Sequence, residues 1–268
     1  MAFPEAALFA DVRRWCEFME VIGRSHKTIR SYRRTLMNFV ADTLEDPRSV
    51  TEAQLIGYLR DVSPQAGARG MLLRAFRSFF SFYEEADPSR RIPIPRAKLG
   101  PAPYLTHGEM ASLIAAAACG PDGGRRACAI LFAYTTGGRV ESLCSVRPQD
   151  IREGRVYFWV VKNDDPYSVP LSPIGQQAAQ ALVRLGNPTL FGVGPGQFWA
   201  WVNTAARRAG MKVWPHLLRH TFATHLRQSG TDPVMLSRLL NHRDLSQIRR
   251  YAGVADSEEQ DAVARAFG

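Results

Sequence analysis

Cysteine is scarce: Cys16, Cys119, Cys128 and Cys144 are the only four in 268 residues. None forms a C-x-x-C pair, so neither a disulfide framework nor a thiolate zinc site is indicated, and buried free thiols are expected. Long apolar runs are missing too. No stretch approaches the roughly 18 to 20 residues that cross a bilayer, and the opening MAFPEAALFADVRR has no basic segment leading into an apolar one. No membrane role is expected, and the chain reads as soluble and intracellular. The signature of disorder is absent as well, because 46% of the residues are hydrophobic and only 22% are charged. Lysine is nearly missing: Lys27, Lys98, Lys162 and Lys212 leave arginine to supply the rest of the 34 basic side chains.

What is present is a basic excess. Against 25 acidic residues it gives a formal charge of +9, shared by both halves of the chain. Such a surface favours a polyanionic partner, nucleic acid foremost, and the planar guanidinium fork suits phosphate. A GC-rich genome produces the same preference for arginine.

The first ninety residues read as four helices with short joints. Leu8, Val12, Trp15, Met19 and Ile22 recur at helical spacing, and Gly23 closes that helix. Ser25 is an N-cap for a helix whose apolar face is Ile29, Tyr32, Leu36, Phe39 and Val40 and whose other face carries Lys27, Arg30 and Arg34. Thr51 with Gln54 has capping-box spacing. After Ser63, Pro64 and Gly67 comes a long helix with Leu72, Phe76, Phe79, Phe80 and Tyr83 inward and Arg69, Arg74 and Arg77 outside. Two helices with arginines opposite an aromatic core suit a phosphate backbone or a major groove, although a solvated helix face looks the same.

Five prolines between Asp87 and Tyr104 hold the chain extended and mark a boundary. The division is a domain over 1–95, a linker over 96–104 and a second domain over 105–268. Thr106 with Glu109 opens a helical region running to about Thr136. RVYFWVVK, the turn-rich NDDP and YSVPL then read as a hairpin with Lys162 at its tip. Helices return over Gln176 to Leu185, over Gln197 to Arg208, after Pro215, after Asp232 with Pro233 at its first position, and after Ser257.

WPHLLRHTFATHLRQSG sets His216, Arg219, His220 and His225 on or near one helix. His216 and His220 have the i, i+4 spacing of a zinc pair, but the acid of H-E-x-x-H is Leu217 here. His216 and Arg219 at a helix start can together hold an anion; an Arg and a His satisfied within the fold remains open beside that. Arg139 follows a glycine pair at another helix start. His242 and Tyr251 close the series.

These motifs together resemble the tyrosine recombinases, which include phage integrases and Xer-type enzymes. T-G-x-R is similar to Thr136 to Arg139, the hairpin lysine to Lys162, H-x-x-R-H to His216 to His220, and the final histidine and tyrosine to His242 and Tyr251. Two positions depart from the family pattern: Ser142 stands where an acid is common, with Glu141 one residue earlier, and Leu240, Asn241 and His242 replace L-G-H. The resemblance implies a mainly α fold, with a four-helix SAM-like core-binding bundle before a mostly helical catalytic domain holding a small antiparallel β-sheet. It also implies a site-specific recombinase that cleaves double-stranded DNA through a 3′-phosphotyrosyl intermediate.

In that scheme Tyr251 attacks, Arg139 and Arg219 clamp the phosphate, Lys162 protonates the leaving oxygen, and His216 and His242 assist. Lys27, Arg30, Arg34, Arg74 and Arg77 become DNA contacts. No cofactor and no metal is implied. The partners expected are two double-stranded DNA sites, a homotetramer in which the tail 257–268 packs on a neighbour or else folds back on its own chain, and accessory bending or directionality proteins. The location expected is the cytoplasm, at the nucleoid. The alternatives are a type IB topoisomerase-like nicking-closing enzyme and a catalytically silent architectural DNA-binding protein.

Overall fold

The computed structural model describes residues 5–43, 45–62, 66–83, 87–95, 102–159 and 166–241. The chain divides into two compact units, Met1–Lys98 and Leu99–Gly268.

In the first unit α1 (Glu5–Val21), α2 (His26–Thr43), α3 (Glu52–Val62) and α4 (Ala66–Tyr83) surround an aromatic core. The caps are local chemistry. Gly23 adopts φ +75 after α1, the Ser25 hydroxyl accepts from the Thr28 amide at 3.1 Å, and Thr51 and Gln54 bond reciprocally. Trp15 and Phe79 meet edge to face at 5.3 Å, as do Phe39 and Phe76 at 4.9 Å. Those rings lock α1 and α2 onto α4. A short 3-10 turn at Pro47–Ser49, which the periodicity does not disclose, is tied to α1 by Arg48 Nη1 donating to Asp11 at 2.6 Å.

The second unit packs α5 (His107–Ala117), α6 (Gly123–Thr136), α7 (Val140–Ser145), α8 (Pro173–Val183), α9 (Pro195–Arg208), α10 (Pro215–Gln228) and α11 (Pro233–Leu240) about one core. α6 lies at its centre, against α5, α8 and α10. Proline occupies the first position of α8, α9, α10 and α11, where a missing N–H costs nothing. The Thr106 and Glu109 capping box is complete. Between α5 and α6 the helical region breaks, because Gly120 at φ +83 and Asp122 at φ +57 turn the chain back.

The sheet has three antiparallel strands in the order β1 (Ile151–Arg152), β2 (Arg155–Phe158), β3 (Tyr167–Pro170). Val156 faces Val169, and both are buried. The mainly helical fold with a small antiparallel sheet is the one that the family resemblance implies. No described helix is long and apolar enough to cross a membrane.

Candidate active site

Arg139 sits at the N-cap of α7, directly after the end of α6. Two glycines make that junction possible. Gly137 closes α6 at φ +61, and a Cβ there would lie 2.3 Å from the Phe222 ring on α10. Gly138 has no more room, since its Cβ would meet Leu143 at 2.8 Å. The T-G-G-R turn is therefore pressed against α10, the helix that carries His216 and Arg219.

Arg219 is only 2% exposed. Its Nη1 donates to the Gly137 carbonyl at 2.8 Å, and its Nη2 donates to the Leu240 carbonyl. Arg139 Nη2 reaches the neighbouring Asn241 carbonyl at 3.2 Å. Two guanidinium groups from separate helix starts thus converge on the turn ending α11, where Asn241 is left-handed at φ 47 and ψ 51. Asparagine tolerates that region better than other non-glycine residues, which is how L-N-H serves where L-G-H is common.

His216 occupies the first turn of α10 and is exposed. His220, one turn on, is buried, and the two rings meet edge to face at 4.6 Å. Ser142 is buried and Glu141 exposed, so the carboxylate of Glu141 does not take the inward place that Ser142 holds. Among the described residues no group of three or more His, Cys, Asp and Glu side chains could hold a metal.

At the far end of α10, His225 forms a second polar cluster. Its Nδ1 lies 2.7 Å from the Tyr134 hydroxyl, and its ring stacks on His107 at 4.0 Å. Burial and then the His107 charge hold the His225 pKa below its ordinary 6.5, against a hydrogen bond with the Leu105 backbone. Nearby, the Leu105 amide donates to the buried Thr221 hydroxyl at 3.0 Å. Thr221 and His225 thereby fasten the segment entering α5 to the helix bearing His216 and Arg219.

In the first unit Lys27, Arg30, Arg34 and Arg74 are exposed. Arg77 is turned to its own fold: Nη2 donates to the Ile92 carbonyl at 2.7 Å and to that of Ser89 at 3.1 Å. Arg34 and Arg69 border an open cavity of about 480 Å³ with Ser31, Asn38 and Tyr58. Lys162, His242, Tyr251 and the tail 257–268 lie outside the described residues.

Two contacts at this site escape the sequence patterns. One is the pair of carbonyl turns tied by Arg219. The other is a bond from the indole of Trp159, the residue after β2, to the buried Asp150 at 2.7 Å. Proline before Asp150 signals a turn, but no spacing rule names its partner.

A mostly helical domain in which two arginines from separate helices meet at one turn has a cationic cluster suited to phosphodiester chemistry. Residues 103–258 match the phage integrase family, more than half of the chain, and the chain belongs to that family, the tyrosine recombinases. It is 28% identical over 272 residues to the tyrosine recombinase XerA of Pyrococcus furiosus, covering 95% of this chain and 93% of that protein. Its fold matches the Tn1549 transposon integrase in complex with transposon right end DNA, at a TM-score of 0.77 and 14% identity, over 96% of this chain and 99% of that one. A lambda integrase tetramer bound to a Holliday junction matches at a TM-score of 0.74 and 19% identity, over 92% and 78%. The chain is thus a site-specific recombinase that cleaves and rejoins DNA, and the nicking-closing and architectural alternatives are not favoured.

Proposed function

We propose that Tyr251 attacks a DNA phosphodiester, forming a 3′-phosphotyrosyl bond as the bond to the 5′-oxygen breaks. Arg139 and Arg219 hold the two non-bridging oxygens, and their charge opposes the negative charge growing in the transition state. Lys162 protonates the departing 5′-oxygen, His216 takes up the phenolic proton, and His242 donates a hydrogen bond to the phosphate. A second 5′-hydroxyl then attacks the phosphotyrosine and reseals a new strand pairing. With both cations supplied by arginine, the reaction needs no metal ion.

The observation that carries this reading is the meeting of Arg139 and Arg219 at the Leu240–Asn241 turn. His242 follows that turn directly, and Tyr251 comes nine residues later.

Residues 1–95 serve as the core-binding domain, with Lys27, Arg30, Arg34 and Arg74 on phosphates and Arg77 contributing through the fold instead. Residues 105–268 form the catalytic domain behind the linker 96–104. The protein acts as a tetramer on two double-stranded sites, the tail 257–268 packing on a neighbour and thereby coupling active sites. Its place is the cytoplasmic nucleoid, with accessory bending proteins setting direction.

Incubating the purified chain with nicked candidate sites in EDTA tests the proposal. A denaturation-resistant protein–DNA adduct is expected, and Tyr251→Phe removes it while DNA binding persists. An adduct formed normally by Tyr251→Phe would overturn the assignment.

A further inference from the structure

Trp159 reverses the usual arrangement of an indole at a surface. Such a side chain ordinarily buries its ring and offers its N–H to water. Here Nε1 donates at 2.7 Å to one oxygen of Asp150, a residue only 7% exposed, while Trp159 itself is 54% exposed. The interior takes the polar atom, and apolar surface is left to solvent. The other Asp150 oxygen accepts the Arg147 amide at 2.8 Å, so the buried carboxylate is satisfied and the indole is fixed to it.

That ring borders a cavity of about 410 Å³, within the roughly 300–1,000 Å³ of small-ligand sites. Tyr157, Arg147, Ser142 and Ser145 share its wall. Tyr157 is held independently: the Arg152 guanidinium lies 4.6 Å from its ring centre, and its hydroxyl donates to Glu153 at 3.3 Å. Arg147 is exposed, and it is its amide that serves Asp150. Two aromatic side chains fixed in advance, with a guanidinium and two hydroxyls beside them, match the chemistry of a nucleotide. A base stacks on a ring, a phosphate pairs with arginine, and hydroxyls meet the polar base edge. The wall begins close to the arginine cluster, because Ser142 follows Arg139 by three residues on α7, about 4.5 Å along the helix axis. One nucleotide rises by about 3.4 Å in a strand, so the two places are little more than one nucleotide apart.

Strands that are rejoined in a new pairing must first leave their old complement, which exposes unpaired nucleotides. We propose that this cavity receives one such nucleotide, its base stacked on Trp159 beside Tyr157 and its phosphate on Arg147. The inference deepens the strand exchange described above and rests on it, but not on which residues cut the DNA.

Equilibrium binding to two DNA duplexes, one fully paired and one carrying a single unpaired adenosine, tests the site without any cleavage step. The parent chain is expected to prefer the duplex with the unpaired base by about tenfold, within what one base–aromatic stack supplies. Trp159→Ala should erase that preference and leave binding of the paired duplex as it was. Trp159→Phe, which loses the bond to Asp150 but keeps an aromatic face, should retain most of it. Arg147→Ala should reduce the preference and lower the salt slope for the unpaired-base duplex by about 0.7 to 0.9, the share of one phosphate contact. No preference in the parent, or a preference that survives Trp159→Ala, would overturn the site. Equal loss in Trp159→Ala and Trp159→Phe would show that the ring does not stack. If Trp159→Ala weakens both duplexes alike, Arg147→Ala decides, and an unchanged preference there overturns the proposal as well. Each of these failures leaves the assignment of Tyr251 untouched, because that is read from the covalent adduct.

Discussion

Arg219 Nη1 and the Gly137 carbonyl lie 2.8 Å apart although the residues are 82 positions apart in the chain. Through its other nitrogen Arg219 also holds the Leu240 carbonyl. One buried guanidinium thus braces the turn before Arg139 against the turn before His242. An arginine proposed to clamp phosphate is also a structural rivet, and its two duties separate by substitution.

Arg219→Lys keeps a charge but has no fork, so it cannot serve two carbonyls in different directions. A buried carbonyl left without its donor costs about 1–3 kcal/mol. A lower thermal midpoint is expected together with loss of cleavage beyond about a hundredfold, the scale of a missing transition-state donor. Calorimetry and single-turnover adduct formation measure the two separately; full cleavage by this variant would contradict the clamp.

Gly137→Ala should be severe for a different reason. The new methyl must occupy space 2.3 Å from the Phe222 ring, at a φ of +61 that L-residues avoid. Overpacking of this kind costs about 1–3 kcal/mol, with left-handed strain added. Denaturant unfolding should show the loss, and the double variant with Phe222→Ala should recover part of it. No recovery would mean that the ring is not the obstacle.

Much of this was legible because the determining contacts are local. The Thr106–Glu109 box, Asp232 before Pro233, and Gly137 before Arg139 each lie within a few residues and appear as read. Strand β1, with two residues, is too short to show alternation. The Arg77 side chain follows the outward spacing of its helix, yet its partners are carbonyls 12 and 15 positions away. An amphipathic pattern separates buried from unburied positions and cannot distinguish solvent from a loop folded over the side chain. The same limit hides the bond between Trp159 and Asp150 and the reach of Arg219. Spacing names candidate residues for the site, and the folded chain shows what Arg139 and Arg219 also hold.

That distinction predicts opposite behaviour for arginines on the first unit. Replacing Lys27, Arg30 and Arg34 with alanine should reduce the salt slope of DNA binding by about 0.9 per lost phosphate contact, or about 2 to 3 in all. Thermal stability should barely change, because all three are exposed. Arg77→Ala should do the reverse, leaving the slope intact while loosening residues 89–92. Equal slopes for the triple variant and the parent would return that face to bulk solvent.

His225 should make stability depend on pH in one direction. Its folded pKa lies below the ordinary 6.5, chiefly through burial. As pH falls below that value the unfolded chain binds the proton first, so stability present above it is lost as pH drops toward the folded pKa. Tyr134, whose pKa burial raises, keeps its proton and can donate to the neutral ring. His225→Gln should flatten the thermal midpoint between about pH 5 and 7. His107, stacked on the ring, adds charge repulsion, so His107→Gln should flatten it less. An unaltered slope in His225→Gln would remove the histidine as the source.

Asn241 offers a test in which stability and chemistry move apart. Its backbone is left-handed, where a side chain crowds the following carbonyl and glycine does not. Asn241→Gly removes that crowding but gives the unfolded chain more freedom, so the net change should stay within about 1 kcal/mol. Cleavage should persist, because the contact with Arg139 uses the backbone carbonyl. Asn241→Val cannot hold the turn without strain of about 1–2 kcal/mol. Relief by shifting the turn would move the carbonyl from Arg139 and redirect the chain toward His242. The valine variant should therefore lose adduct formation by more than its lowered thermal midpoint explains, even at a temperature where it remains folded. Parent-level cleavage by folded Asn241→Val would show that the conformation of this turn does not govern the site.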